Sequence, residues 1–253
     1  MTFIGEDLKD KCVVVTGATG GIGRAVALAF AEIGVRVLAV DLKEDSLKEL
    51  VVTLPGIGHD IFPFDLARID AQKDVFDKAH SMGGFQALVH CAAVLRRRST
   101  IDEVTEEDWD FQLDINLKAT FFLNRTARDV MKSHGTRGAI VNFSSQGWWT
   151  GGFGGSVVYA ASKGGIVSMT RGLARSFAPE GIRVNVIAPG GIDTHMLTDG
   201  QSPEAMKSFM EMIPMARLGE PKEIAQAVVF LASSGSSYIT GALLNISGGQ
   251  LMY

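Results

Sequence analysis

The stretch TGATGGIG, residues 16–23, decides the fold. It follows KCVVVTG (11–17), an apolar β-branched run that reads as a strand. It precedes residues 22–33, where apolar side chains at 22, 26, 29, 30 and 33 keep helical spacing. Glycines at 17, 21 and 23 let the chain turn tightly and bring bare amides to a helix N-terminus, where a pyrophosphate is received. Asp41 closes the next strand, VRVLAVD (35–41), and a carboxylate there accepts hydrogen bonds from both ribose hydroxyls while repelling a 2′-phosphate. Strand, glycine turn, helix and strand-end acid together read as a dinucleotide-binding unit.

The same alternation continues outward. A short helix is expected over 46–52 and a weaker strand at HDIFPFDL (59–66), restricted to an edge by Pro63. A helix over 68–81 and a strand at 85–93 follow. Then comes a long helix over 105–133, opened by the capping pattern Thr105-Glu-Glu-Asp108. GAIVNFSS (138–145), RVNVIAPG (183–190) and ALLNISGG (242–249) read as further strands, with helices over 159–178 and 221–232 between them. Continuous apolar strands alternating with helices mean a parallel sheet covered on both faces. Residues 1–253 are expected to form one α/β domain. Its one long irregular region, 191–215, is expected to act as a substrate lid.

Composition bounds the function. An apolar fraction of 46% and a charged fraction of 21% are those of a soluble globular chain. A net charge of −4 argues against a nucleic-acid or anionic-membrane surface. The acidic start MTFIGEDLKDK does not resemble a signal peptide, and no apolar run is long enough to span a membrane. Two scattered cysteines, Cys12 and Cys91, imply free thiols in a reducing compartment, the cytoplasm. No metal-ligand spacing is present.

Tyr159 and Lys163 stand four apart on a helix and share one face. A tyrosine is a poor base at neutral pH, but an ammonium and an oxidised nicotinamide beside it both favour the phenolate. Tyr159 then serves as general base for an alcohol or, protonated, as general acid for a carbonyl. The pair follows Ser144-Ser145 at a strand end.

With T-G-x-x-x-G-x-G at the first turn, strand-end serines and Y-x-x-x-K, the chain resembles the short-chain dehydrogenase/reductase family from LKDKCVVVTG to SSYITGALLNISGG. The resemblance implies a Rossmann-like doubly wound fold with a seven-stranded parallel sheet of order 3-2-1-4-5-6-7. It assigns catalysis to Asn116, Ser145, Tyr159 and Lys163: Ser145 (or Ser144) bonds the reacting oxygen, and Asn116 holds a water in a proton relay with the lysine. Cofactor contacts are implied at Gly17, Thr19, Gly21, Ile22, Gly23, Asp41, Asp65, Leu66, Ala92, Tyr159, Lys163, Pro189, Gly190, Ile192 and Thr194. Asp41 favours NAD, while Lys43 nearby keeps NADP open. Asn185 is expected to be structural.

The chain departs from the pattern in two places. His90-Cys91-Ala92-Ala93 replaces the family's N-N-A-G, and Cys91 cannot reproduce a carboxamide's hydrogen bonds. His90 is expected to be a packed strand residue. The interval from Ser145 to Tyr159 is longer by one residue, which its glycines absorb.

The substrate is expected to be a small molecule bound among the loop after Ala93, the 146–158 segment and the lid. Gln146, Trp148 and Trp149 are candidate walls. The lid's methionines suit an adaptable apolar cover, or belong to two short helices packed on the body. In Arg96-Arg97-Arg98, Arg97 is the candidate partner for an anionic group; the alternative is a solvated turn or intersubunit ion pairs with Asp102 and Glu103. The expected activity is NAD-dependent hydride transfer between nicotinamide and a secondary alcohol or ketone. The alternatives are an NADPH-dependent 3-oxoacyl-carrier-protein reductase and a dinucleotide-binding regulator without turnover. A homotetramer is the expected assembly, with Met252 and Tyr253 placed to reach a neighbouring subunit.

Overall fold

The computed structural model describes residues 4–152, 154–200 and 202–253. Seven strands form one sheet: β1 (Cys12–Thr16), β2 (Arg36–Asp41), β3 (Asp60–Pro63), β4 (Phe85–His90), β5 (Ala139–Phe143), β6 (Arg183–Pro189) and β7 (Leu243–Ile246). Their order is β3-β2-β1-β4-β5-β6-β7 and every neighbouring pair is parallel, as the resemblance implied. The helices are α1 (Gly21–Glu32), α2 (Glu44–Val51), α3 (Gln72–Ser81), α4 (Glu106–Leu113), α5 (Thr120–Ser133), α6 (Gly147–Thr150), α7 (Val157–Phe177), α8 (His195–Thr198), α9 (Pro203–Glu211) and α10 (Pro221–Ala232).

Successive side chains on a strand point to opposite faces, so each strand feeds two cores. Val13, Val15, Val37 and Ala39 pack with Phe30 of α1, Leu47 of α2 and Val228 of α10. Val14, Leu38, Val40 and Leu88 pack on the other face with Phe76 of α3, Leu123 of α5 and Phe177 of α7. Burial on both faces is what the unbroken Val/Leu runs encode. The strand order reverses between β1 and β4, and the carboxyl ends of those strands open the crevice where such sheets bind ligands.

Several expected boundaries shift. β3 stops at Pro63, which has no N–H for the ladder, and Phe64 and Leu66 turn back into the core. Thr105 caps α4 through the expected box with Asp108. The helix expected over 105–133 runs without a break from Glu106 to Ser133, with Asp114–Ala119 wound as a π-helix between α4 and α5. The expected irregular region 191–215 contains α8 and α9; Ser202 caps α9, its hydroxyl accepting from the Ala205 amide at 3.1 Å.

Buried polar groups fix the helices on the sheet. The Asn124 and Asn142 amides exchange two 3.0 Å hydrogen bonds, and Asn142 also donates to the Thr170 hydroxyl at 3.1 Å. β5 is thereby tied to α5 and α7 by a satisfied network. His90 is a packed strand residue, as expected: its ring nitrogens lie 2.7 Å from Thr16 Oγ1 and 2.8 Å from Thr120 Oγ1. It links β1 to α5, in place of the tether that Cys91 cannot make. Asn185 is structural too, donating to the Ile239 carbonyl and accepting from the Ala242 amide.

Candidate active site

The carboxyl edge of the sheet opens on a cleft of about 320 Å³. One end is the glycine turn. Gly17 has φ +63°, and a Cβ there would stand 2.6 Å from the Ala92 backbone nitrogen. A side chain at residue 17 is therefore excluded by both conformation and space. The α1 helix begins at Gly21, and its N-cap Gly20 has no side chain to cap the first amides. Bare amides at a helix N-terminus are a ready anion site. Gly21, Ile22, Gly23 and Thr194 line the same end, and no carboxylate lines the cleft among the described residues. A dinucleotide pyrophosphate fits this cradle.

Asp41 stands beside the turn at the tip of β2. Its Oδ2 accepts from the Thr19 amide at 3.0 Å and the Thr19 hydroxyl at 2.6 Å, and its Oδ1 accepts from the Leu42 amide at 2.8 Å. Thr19 and Asp41 thus act on each other at the rim. Asp65 is exposed, with Oδ1 accepting from the Ala67 amide. The Leu66 side chain is buried in the core, so a cofactor contact at Leu66 falls to its backbone. Ala92 meets Gly17 without lining the cleft.

The same cleft brings together Ser145, Tyr159 and Lys163, with Pro189, Gly190 and Ile192 also in its lining. Lys163 is buried and donates to the Phe143 carbonyl at 2.9 Å. Burial pushes its ammonium down to about 8. Burial pushes the Tyr159 phenol up to about 12, opposed in part by a hydrogen bond from Ser145 and by the positive charge of Arg97. Ser144 is committed elsewhere, its hydroxyl donating to the Lys163 carbonyl at 2.9 Å. Ser145 is therefore the serine that serves the phenol. Its Oγ also accepts from the Gly147 amide at 3.2 Å.

Asn116 is tied into the loop after β4. Its amide donates to the Val94 carbonyl at 2.9 Å and to Ser162 Oγ at 3.2 Å, and its Oδ1 accepts from the Val94 amide at 2.8 Å. Both amide hydrogens are used, and the side chain clamps the loop after β4. Its position in the π-helical turn is typical of functional sites. Ser162, absent from the sequence-level candidates, completes the clamp.

Arg97, Gln146, Leu95, Met196, Leu197 and Phe209 also line the cleft. Of the methionines in 191–215, Met196 lines the cleft, beside Leu197 and Phe209. Trp148 and Trp149 do not line the cleft. They pack edge-on with ring centroids 5.2 Å apart, and both rings contact Tyr253 of the same chain. Within the chain, the arginine run finds acidic partners other than Asp102 and Glu103. Arg96 and Arg98 both bind the buried Asp108, and Arg96 also binds Glu107.

A dinucleotide cradle that opens onto a buried phenol and amine belongs, as a class, to the nicotinamide-dependent oxidoreductases. A family model described as enoyl-(acyl carrier protein) reductase matches residues 17–250. The chain is 37% identical to a 3-oxoacyl-(acyl-carrier-protein) reductase of Thermotoga maritima, over 97% of this chain and 99% of that one. It is 36% identical to a (3R)-3-hydroxyacyl-CoA dehydrogenase of Canis lupus familiaris, over 97% and 98%. A crystal structure from Agrobacterium tumefaciens with bound NADP, of a protein named for a proposed 2-deoxy-D-gluconate 3-dehydrogenase activity, superposes with a TM-score of 0.86 at 34% identity, covering 96% and 97% of the two chains. The protein belongs to the short-chain dehydrogenase/reductase family and is an oxidoreductase. Among the described residues no group of three metal-type side chains forms a site, and no helix is long and apolar enough to cross a membrane.

Proposed function

We propose that the protein passes a hydride between NAD and the carbon of a secondary alcohol or ketone, with Tyr159 as general acid/base. The observation that carries this is the enclosure of Ser145, Tyr159 and Lys163 in one cleft with the glycine turn. When bound, an oxidised nicotinamide supplies the hydride acceptor and a positive charge that favours the phenolate. Tyr159 takes the alcohol proton as the hydride leaves, and returns it to the carbonyl oxygen in the reverse direction. Ser145 donates a hydrogen bond to the reacting oxygen. Lys163, fixed by the Phe143 carbonyl, stabilises the phenolate electrostatically. Asn116 holds the loop after β4 against the site, and residues 191–215 exclude water as a lid.

Asp41 supports NAD over NADP, because its carboxylate stands at the tip of β2 where a 2′-phosphate would be repelled. Asp65 and Ala92 complete the adenosine side in this proposal. The second reading is an NADPH-dependent 3-oxoacyl-carrier-protein reductase. It is favoured by the Thermotoga relative and by the NADP bound in the Agrobacterium structure. The proposal takes residues 1–253 as a single domain in a cytoplasmic homotetramer. Trp109 and Phe121, 49% and 38% exposed on α4 and α5, support assembly through those helices; light scattering tests it. A panel of alcohols and ketones with NAD and NADP, read at the nicotinamide absorbance, decides between the two readings. No turnover of any member, with the dinucleotide still bound, would point to a non-catalytic regulator.

A further inference from the structure

Three consecutive arginines leave β4, and the structure treats the middle one differently. Arg98 binds Asp108 with two 2.8 Å hydrogen bonds, and Arg96 reaches Glu107 at 2.9 Å and Asp108 at 3.3 Å. These guanidiniums hold the Asp108 carboxyl well below the usual carboxylate range. Arg97 has no carboxylate partner among the described residues. Its Nη2 donates to the Met196 carbonyl at 2.9 Å and its Nη1 to the Asp199 carbonyl at 3.3 Å. The Asp199 carboxylate turns to His195, 3.9 Å away.

Two carbonyls fix the plane of the Arg97 guanidinium and use two of its five N–H donors. The remaining donors belong to a side chain that lines the cleft with Tyr159. Every charged side chain that lines the cleft is cationic or a histidine, in a chain of net charge −4. Closing a ligand over Arg97 removes its water, and a neutral ligand leaves that charge uncompensated. A carboxylate satisfies it with parallel N–H···O bonds. Gln146, also in the lining, has a buried side-chain oxygen with no partner among the described residues, an acceptor suited to a substrate hydroxyl.

We infer that the substrate is a small hydroxy or keto acid whose carboxylate is bound by Arg97. This deepens the dehydrogenase reading and rests on it. The lid carbonyls pre-orient the guanidinium, so anion binding and lid position share one side chain.

The test uses the full chain with NAD and a panel of short-chain 2- and 3-hydroxy acids and sugar acids. Each acid is paired with its primary amide, and 3-oxoacyl thioesters are assayed with NADPH. The wild type is expected to favour the preferred acid over its amide by about 100-fold in kcat/KM. Arg97→Gln is expected to bring that ratio close to unity, and Arg97→Lys to retain part of it. Equal turnover of acid and amide by the wild type would overturn the inference. So would an equal loss on both substrates in Arg97→Gln, which would leave Arg97 as a lid clamp alone. Preferential turnover of the thioesters would also overturn it. Absence of any nicotinamide absorbance change across the panel would instead overturn the dehydrogenase reading, and this inference with it.

Discussion

The Lys163 ammonium lies 5.5 Å from the centroid of the Tyr159 ring and is held there by the Phe143 carbonyl. Burial works against charge on both groups, taking the amine down to about 8 and the phenol up to about 12. Alcohol oxidation needs the phenolate and ketone reduction needs the phenol. Oxidation should therefore rise with pH, and reduction should fall over the same range, with an apparent pKa that belongs to the pair. Tyr159→Phe should lower kcat by about 100- to 10,000-fold and abolish this pH limb, with NAD still bound in a fluorescence titration. A retained limb would assign the proton to another group.

Lys163 also leaves a mark on stability. Its amine titrates at about 8 in the folded chain and at its ordinary value of 10.5 in the unfolded one. Between those values the unfolded chain binds more protons, so stability rises as pH increases. Tyr159 has the opposite sign, but only from about 10 upward, where the unfolded phenol ionises first. Urea unfolding of wild type and Lys163→Met from pH 8 to 10 should show the wild type gaining on the variant by about 1.4 kcal/mol per pH unit at most. Parallel curves would contradict the burial of a charged amine.

His90 predicts the acid limb. Burial pushes its imidazole down to about 3, while the unfolded chain takes up the proton near 6.5. Stability should fall as pH drops from 6.5 towards 3. His90→Gln should be less stable at neutral pH, having lost the Thr16 and Thr120 contacts, yet show a flatter acid limb by circular dichroism. An unchanged limb would assign the proton uptake elsewhere.

Asp41→Ser should move the ratio of kcat/KM for NAD over NADP towards NADP by at least about tenfold, since a carboxylate beside a 2′-phosphate is removed. No shift would show that Asp41 only anchors the Thr19 turn.

Trp148→Ala removes contacts with two aromatic rings and should cost about 1 to 3 kcal/mol in chemical denaturation. Because neither tryptophan lines the cleft, the order of preference among substrates should hold. A reordered panel would restore the pocket-wall role expected from the sequence.

The fold was legible because its signals are local. The turn at 16–23, the Val/Leu strands and the Thr105 and Pro221 helix starts each carry their own chemistry, and the sheet order came with the family motifs. The Ser145–Tyr159–Lys163 group was legible for the same reason. The π-helical turn at Asn116 was not, since a one-residue slip in helical hydrogen bonding has no apolar periodicity of its own. Nor could spacing pair Asn124 with Asn142, which meet only when α5 packs on β5, or choose Asp108 over Asp102 for the arginines, which meet it only when the loop after β4 packs on α4. Trp148 and Trp149 adjoin the catalytic serine in sequence, but the αL turn at Gly151 ends α6 with the rings against Tyr253.

Turnover of the alcohol and ketone panel with NAD, in parallel for wild type and Tyr159→Phe, tests the central claim most directly. The account predicts a nicotinamide absorbance change with at least one secondary alcohol in the wild type, and its near-complete loss in the variant while NAD still binds. Equal rates in the two proteins, or no change in either with NAD bound, would contradict it.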